Sequence, residues 1–465
     1  MIFPWTEGWR SEGGGRELLK LAFPLILSNS FWTLQITIDR VLLSQLDPDA
    51  VGAAMAAVLI FYTPLILLQF TASYATTFVA QYVGAGRPER VGPAIWQALH
   101  FSVITGLAFL GLVPLAGDLM LLVGHEPRLA AMETVYFQCL CYSALPTLVT
   151  ATTAAFFAGR GDSWTVLIIN GSGLLVNAVL DYGLIFGKLG LPAWGMAGAG
   201  WATVLGVLAS ALVGLGLLFQ RRYRKEYCTL SGWRFDGDLF WRLMRYGLPN
   251  GLHVAADTLA FTAFMLIVGL MGAEELAASS IAITINMVAF MPMLGMGQAV
   301  TVLVGQRLGQ DRPDLAEQTT WTGFKLAWLY MFTVAVLYVA APDIFLFLFR
   351  NGDDTAKWEA VSGLVRYLLR FVAFYSLFDS MLLVFSFALR GAGDTRFVTA
   401  VSLVLSWPIM VAPCWLVYRW GLDLGVAWAA AAGYVVTVAV IFWLRFRMGK
   451  WKTMRVIETA PSLAV

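Results

Sequence analysis

Four aspartates sit where an apolar chain tolerates them least. Asp39 lies in TLQITIDRVLL, Asp181 in LLVNAVLDYGLIFG, Asp257 in GLHVAADTLAF and Asp379 in FYSLFDSMLLVF. A carboxylate at the centre of a bilayer costs about 2.5–3.5 kcal/mol on insertion scales. Each therefore needs a partner, a proton, a bound cation or a water-filled cavity. Three have a polar neighbour one helical turn earlier: Asn177 before Asp181, His253 before Asp257 and Tyr375 before Asp379. Residues four apart share a helix face. Asp39 and Asp181 fall at similar depth, in the outer halves of outward-running segments. Two such acids can share a proton or hold a cation, because like charges held close resist joint ionisation. The Asn177 amide can hydrogen-bond a carboxylate or ligate an ion. Asp257 and Asp379 lie nearer mid-membrane. With the Tyr375 phenol they suit a hard cation such as Na⁺. His253 reads either as a member of that site or as a structural partner of Asp257.

The elements that carry these residues are continuous apolar runs. Hydrophobic residues make up 59% of the 465 and charged residues 13%, too little polar surface for a water-soluble chain of this length. Twelve segments stand out, at about 18–46, 51–83, 93–123, 129–159, 163–187, 194–220, 238–271, 273–308, 315–349, 356–391, 395–418 and 424–446. Each is long enough to cross a bilayer as a helix. Their unbroken apolarity, without alternation, argues against a barrel. The net charge of +2 offers no footprint for nucleic acid. Of the four cysteines, Cys139 and Cys141 lie two apart in an apolar run, on different helix faces, and suit neither a metal site nor a disulfide framework. The start of the chain lacks the basic-then-apolar order of a cleaved signal peptide, so the first run is expected to be a permanent span.

Loop charge orients the spans. The side shared by both ends and the even-numbered loops holds about 22 of the 31 lysines and arginines. The other side carries acids such as Asp47, Asp49, Glu274, Glu275, Asp353 and Asp354, with few cations, Arg350 and Lys357 among them. Both termini are therefore expected in the cytoplasm, in a multi-pass protein of the inner membrane.

The chain also repeats itself. VAQYVGAGRPERV at 79–91 aligns with VGQRLGQDRPDLA at 304–316, and Pro24 with Pro249, both about 225 positions apart. FFAGRGDSW and FALRGAGDTRF form a second pair. Six spans per copy make the repeats parallel, as in a two-lobed transporter. The expected fold class is an all-α polytopic membrane protein, with twelve transmembrane helices in two six-helix repeats. The expected organisation is a cytoplasmic segment 1–17, a first lobe 18–220, a basic and aromatic linker 221–237, a second lobe 238–446 and a cytoplasmic tail 447–465. Pro24 and Pro249 permit matched bends. The glycines of GLPAWGMAGAGWATV permit close helix packing.

No phosphate-cradling loop, zinc-protease motif or nucleophile elbow stands in a sensible context. The chain is not expected to be an enzyme or to carry a cofactor. Any transport by it would draw on an ion gradient of H⁺ or Na⁺.

The segments TIDRVLLSQL, NAVLDYGLIFG, WGMAGAGWATV, GLPNGLHVAAD and FALRGAGDT, with the two VxQxxG…RP loops, resemble the multidrug and toxic compound extrusion (MATE) family, in its NorM-like bacterial branch. The resemblance covers about residues 15–446. It implies a V-shaped pair of six-helix bundles that open alternately to the two sides, exporting organic cations or drugs in exchange for H⁺ or Na⁺. It implies that Asp39, Asn177 and Asp181, with Thr203 on a polar position of the same network, carry coupling and substrate binding. It implies that Asp257, Tyr375 and Asp379 form a cation site in the second lobe, with Asp257 where many relatives have Glu. A polar partner from the fourth span is also implied, for which Thr152, Thr153 and Tyr142 are the candidates. The expected partners are amphipathic, mainly cationic small molecules and membrane lipid, with the protein a monomer. A flippase for lipid-linked oligosaccharides is the related alternative. Its anionic substrate calls for a basic cavity, whereas these spans hold more acids. A non-transporting membrane scaffold has no use for paired acids at matched depth.

Overall fold

The computed structural model describes residues 7–349 and 355–458. The expected loop residues Arg350, Asp353 and Asp354 and the outer ends of segments 1–17 and 447–465 lie outside the described residues, as does the side chain of Lys357. Among the described residues, twelve helices are long and apolar enough to cross a membrane. They are α1 (Gly15–Leu46), α2 (Asp49–Gly84), α3 (Pro88–Leu112), α4 (Pro127–Gly159), α5 (Ser163–Phe186) and α6 (Met196–Leu218), followed by α7 (Gly237–Met271), α8 (Ala273–Gly309), α9 (Pro313–Ala340), α10 (Trp358–Ala392), α11 (Thr395–Trp420) and α12 (Leu424–Arg447). No strand occurs among the described residues. The all-helical, twelve-span fold class read from the sequence is the one observed.

Two spans are shorter than their apolar runs suggest. The third ends at Leu112 rather than 123, and the ninth at Ala340 rather than 349. In both, the chain turns at a proline, Pro114 or Pro342, and resumes as a short helix. Proline lacks the amide hydrogen a helix interior needs, so the apolar run continues while the helix does not.

The repeated RP loops have a local cause. Pro88 and Pro313 each occupy the first turn of the next helix, where a missing amide hydrogen costs nothing. Two residues earlier the backbone is left-handed in both copies, at Gly86 (φ 65°) and Asp311 (φ 55°). Glycine meets that demand freely, and aspartate is one of the few other residues that tolerates it. Elsewhere aspartates start helices: Asp162 accepts from the Thr165 amide at 3.3 Å and Asp423 from the Gly425 amide at 2.7 Å.

By contacts the chain forms two compact units. One comprises the stretch up to Ile26 with His253–Leu308 and Arg312–Met454; the other comprises Leu27–Leu252, Gly309–Asp311 and the chain from Arg455. The first unit packs Trp321, Phe385 and Phe446 together, and Trp451 stacks on Phe446 at 4.7 Å. The second has a core of Phe61, Phe109, Tyr136, Phe137 and Leu140. Within it, α5 and α6 approach backbone to backbone. A Cβ on Gly173 would lie 2.9 Å from the Gly206 carbonyl oxygen, and one on Gly206 would lie 2.7 Å from the Asn177 Cβ. Gly198 and Gly200, from the glycine-rich run, are equally close to Leu184 and Cys139.

The final described residues dock onto the second unit. The Val456 amide donates to the Gln81 side-chain carbonyl, Oε1, at 2.8 Å. Glu458 then accepts from Tyr82, Arg87, Arg90 and Arg242 at 2.6–3.1 Å. One carboxylate thus joins the loop after α2 to the first turns of α7.

Candidate functional site

The second unit gathers Asp39 from α1, Asn177 and Asp181 from α5, and Thr203 from α6. Asn177 and Asp181 are completely buried, and Asp39 is half-buried. Asp39 and Asp181 act directly on one another, and Asn177 on both. None of these groups reaches good hydrogen-bond geometry: Asp39 Oδ1, both Asp181 oxygens and both Asn177 amide atoms are buried without a partner. Asp39 and Asp181 form no ion pair among the described residues; Arg40 acts on Asp39 only at a distance. Gly206 is what lets this happen on the α5–α6 seam, because any side chain there would collide with Asn177.

From the fourth span, Tyr136 is the residue that meets this group. It is buried, senses both aspartates and lies within hydrogen-bonding reach of Thr203. Thr203 donates to the Ala199 carbonyl at 3.1 Å, which leaves its oxygen able to accept from Tyr136. The candidates expected from sequence are engaged elsewhere. Thr152 lies 2.9 Å from the Ser102 hydroxyl. Thr153 donates to the Thr150 carbonyl. Tyr142 is 42% exposed and stacks on Trp201. In the sequence nothing points to Tyr136, because an aromatic residue in an apolar run reads as packing. Glu133, one turn earlier on α4, was also missed. It is wholly buried, with Oε1 2.6 Å from His125 Nδ1 and Oε2 unpartnered.

The first unit holds the other acids, in two separate sets. Asp257 on α7 accepts from the Tyr434 hydroxyl of α12 at 3.1 Å. Its other oxygen lies 3.6 Å from His253 Nδ1, and Ser402 and Arg390 also act on it. The Asp257 side chain is 38% exposed whereas His253 is buried. Asp379 on α10 is buried beside Tyr375, whose hydroxyl accepts from the Asn286 amide of α8 at 3.2 Å. The Asn286 carbonyl oxygen is buried and unpartnered. Tyr434, Ser402 and Asn286 were not singled out in the sequence. Each belongs to a helix other than that of the acid it serves, so no spacing within one segment points to it. Among the described residues, no three of His, Cys, Asp and Glu gather as a metal cage.

Twelve bilayer-length helices in two copies, with carboxyl groups sunk in both, define a polytopic membrane protein of transporter architecture. The MatE family model matches residues 24–183 and again residues 249–416, in register with the doubled Pro24 and Pro249, and the chain belongs to that family, the MATE family. It is 31% identical to the multidrug resistance protein NorM of Burkholderia vietnamiensis, over 92% of this chain and 93% of that one. It is 28% identical to a probable multidrug resistance protein NorM of Mesorhizobium japonicum, over 94% of each. In fold it is similar to the outward-facing conformation of a multidrug resistance MATE family transporter, with TM-score 0.86 and 19% identity over 98% of this chain and 100% of that one. A MOP superfamily transporter from Pyrococcus furiosus gives TM-score 0.85 and 20% identity, over 98% and 100%.

Proposed function

We propose that this protein is a secondary exporter of amphipathic, mainly cationic compounds, exchanging them for H⁺ or Na⁺ by alternating access. The observation that carries this reading is the pair Asp39–Asp181, one half-buried and one wholly buried, acting on one another without an ion pair among the described residues. Charge left uncompensated in a low-dielectric setting calls for a mobile positive species. Names of the NorM relatives support drugs as the cargo.

In this mechanism a proton or Na⁺ neutralises the Asp39–Asn177–Asp181 group and favours one conformation. A cationic substrate favours the other, so the two compete through a shared cycle. Thr203 and Tyr136 steady the carboxyls. In the other half, Asp257 beside Tyr434 and Asp379 beside Tyr375 serve as two separate acceptor groups for a cation, with His253 next to Asp257. The protein works as a monomer in the inner membrane with both termini cytoplasmic.

The test uses purified protein in liposomes loaded with ethidium, with a pH gradient and a Na⁺ gradient imposed in turn. One gradient is expected to drive dye movement, and Asp39→Asn and Asp181→Asn each to lower the rate by tenfold or more, roughly the 1.4 kcal/mol that one decade represents. Dye that moves under neither gradient ends the antiport reading. Full rates in both variants end the assignment of the site.

A further inference from the structure

Arg370 on α10 is exposed, and among the described residues nothing neutralises it: it has no ion pair, hydrogen bond or ring contact. Its neighbour Arg366, one turn earlier, is paired with Asp343 at 2.7 Å, just beyond the end of α9. At 1.5 Å per residue Arg370 lies about 6 Å deeper than that pair. Exposed Tyr367, Trp415, Tyr418 and Trp420 ring the same end of the helices, as aromatic residues do at headgroup level. Arg370 therefore stands at the boundary between headgroups and acyl chains, on the side opposite the termini.

Two apolar grooves start at this one residue. The first, of about 450 Å³, runs between α9 and α10, from Ala340 and Arg370 to Phe332 and Leu377. The second, of about 620 Å³, runs between α10 and α12, from Arg370 and Ala429 to Thr437. Phe374, one turn below Arg370, is the ridge shared by both. Because α9 runs towards that side and α10 and α12 run away from it, both grooves lead from Arg370 towards the bilayer centre, for about 10–12 Å.

We propose that this fork binds one anionic diacyl phospholipid, its phosphate on the Arg370 guanidinium and one acyl chain in each groove, straddling Phe374. A guanidinium matches phosphate geometry and charge. A single unpaired cation favours a headgroup of net negative charge, since an ammonium headgroup would bring a second cation beside it. Two grooves diverging from one charge fit a two-chain lipid and leave a free phosphate without use for either.

Native mass spectrometry of the detergent-solubilised full chain, titrated with phosphatidylglycerol or phosphatidylcholine, tests this. The wild type is expected to retain one phosphatidylglycerol at least tenfold more tightly than phosphatidylcholine. Arg370→Gln should abolish that preference. Gly433→Leu, at a position where a Cβ meets open space, should fill the second groove and weaken retention while Arg370 stays in place. Glycerol phosphate should not compete. Equal retention by wild type and Arg370→Gln overturns the site. Equal retention of the two lipids overturns the anionic headgroup. Unchanged binding in Gly433→Leu, or full competition by glycerol phosphate, overturns the fork.

Discussion

At the scale of single residues, Tyr136 gives the sharpest contrast between chemistry and packing. Its ring belongs to the second unit's core, while its hydroxyl faces Thr203 and both buried acids. Tyr136→Phe keeps the ring and removes one donor. A hydrogen bond contributes about 0.5–1.5 kcal/mol net, so dye efflux is expected to fall about two- to tenfold while the melting temperature changes little. Gly206→Ala does the opposite kind of damage. The added methyl would meet the Asn177 Cβ at 2.7 Å, and forced overpacking costs about 1–3 kcal/mol. Here the melting temperature in detergent should drop and efflux should drop with it. A Gly206→Ala protein as stable as wild type would mean that α5 and α6 are not in contact at Gly206 and Asn177.

At the scale of elements, the sequence was readable where one segment carries its own signal. Twelve apolar runs, the i, i+4 pairs Asn177/Asp181 and Tyr375/Asp379, and the doubled RP loops all follow from local periodicity and repetition. What escaped was either a proline overruling apolarity, at Pro114 and Pro342, or a partner arriving from another helix, such as Tyr136, Tyr434 and Asn286. The tail belongs to the second kind. Nothing in its short sequence signals that Glu458 will accept from three arginines and a tyrosine. Burial alone would raise the Glu458 pKa, but the Tyr82 hydroxyl, a backbone amide, Arg90 and Arg87 outweigh it and hold it below the usual glutamate value. A depressed carboxyl pKa stabilises docking fully at pH above the usual value, and that stabilisation is lost progressively as pH falls from there through the depressed one. Protection of the Val456 amide from hydrogen exchange, corrected for intrinsic rate, should therefore hold from pH 7 down to the usual glutamate range and weaken only below it. Glu458→Gln should lose protection at pH 7. A variant as protected as wild type would assign the docking to the Val456–Gln81 bond alone.

At the scale of the whole molecule, the proposed exchange has a thermodynamic consequence that needs no gradient. If a cation and an organic substrate act on the same carboxyl groups in opposite senses, each must weaken the other's binding by the same factor. Ethidium bound to the detergent-solubilised protein, followed by fluorescence anisotropy, is then expected to dissociate as the coupling ion is raised. The ion that does so in solution should be the one whose gradient drives efflux in liposomes. Coupling free energies are typically 1–3 kcal/mol, or about 5–150-fold in affinity, well within reach of a titration. The two halves make separable contributions to this linkage. Should Asp39→Asn remove it and Asp257→Asn leave it intact, competition belongs to the buried pair between α1 and α5. The reverse result assigns it to the half-buried Asp257 beside Tyr434. Affinity independent of both H⁺ and Na⁺ in the wild type would break the link between ion and cargo, and would leave the buried acids as packing elements of a membrane helix bundle.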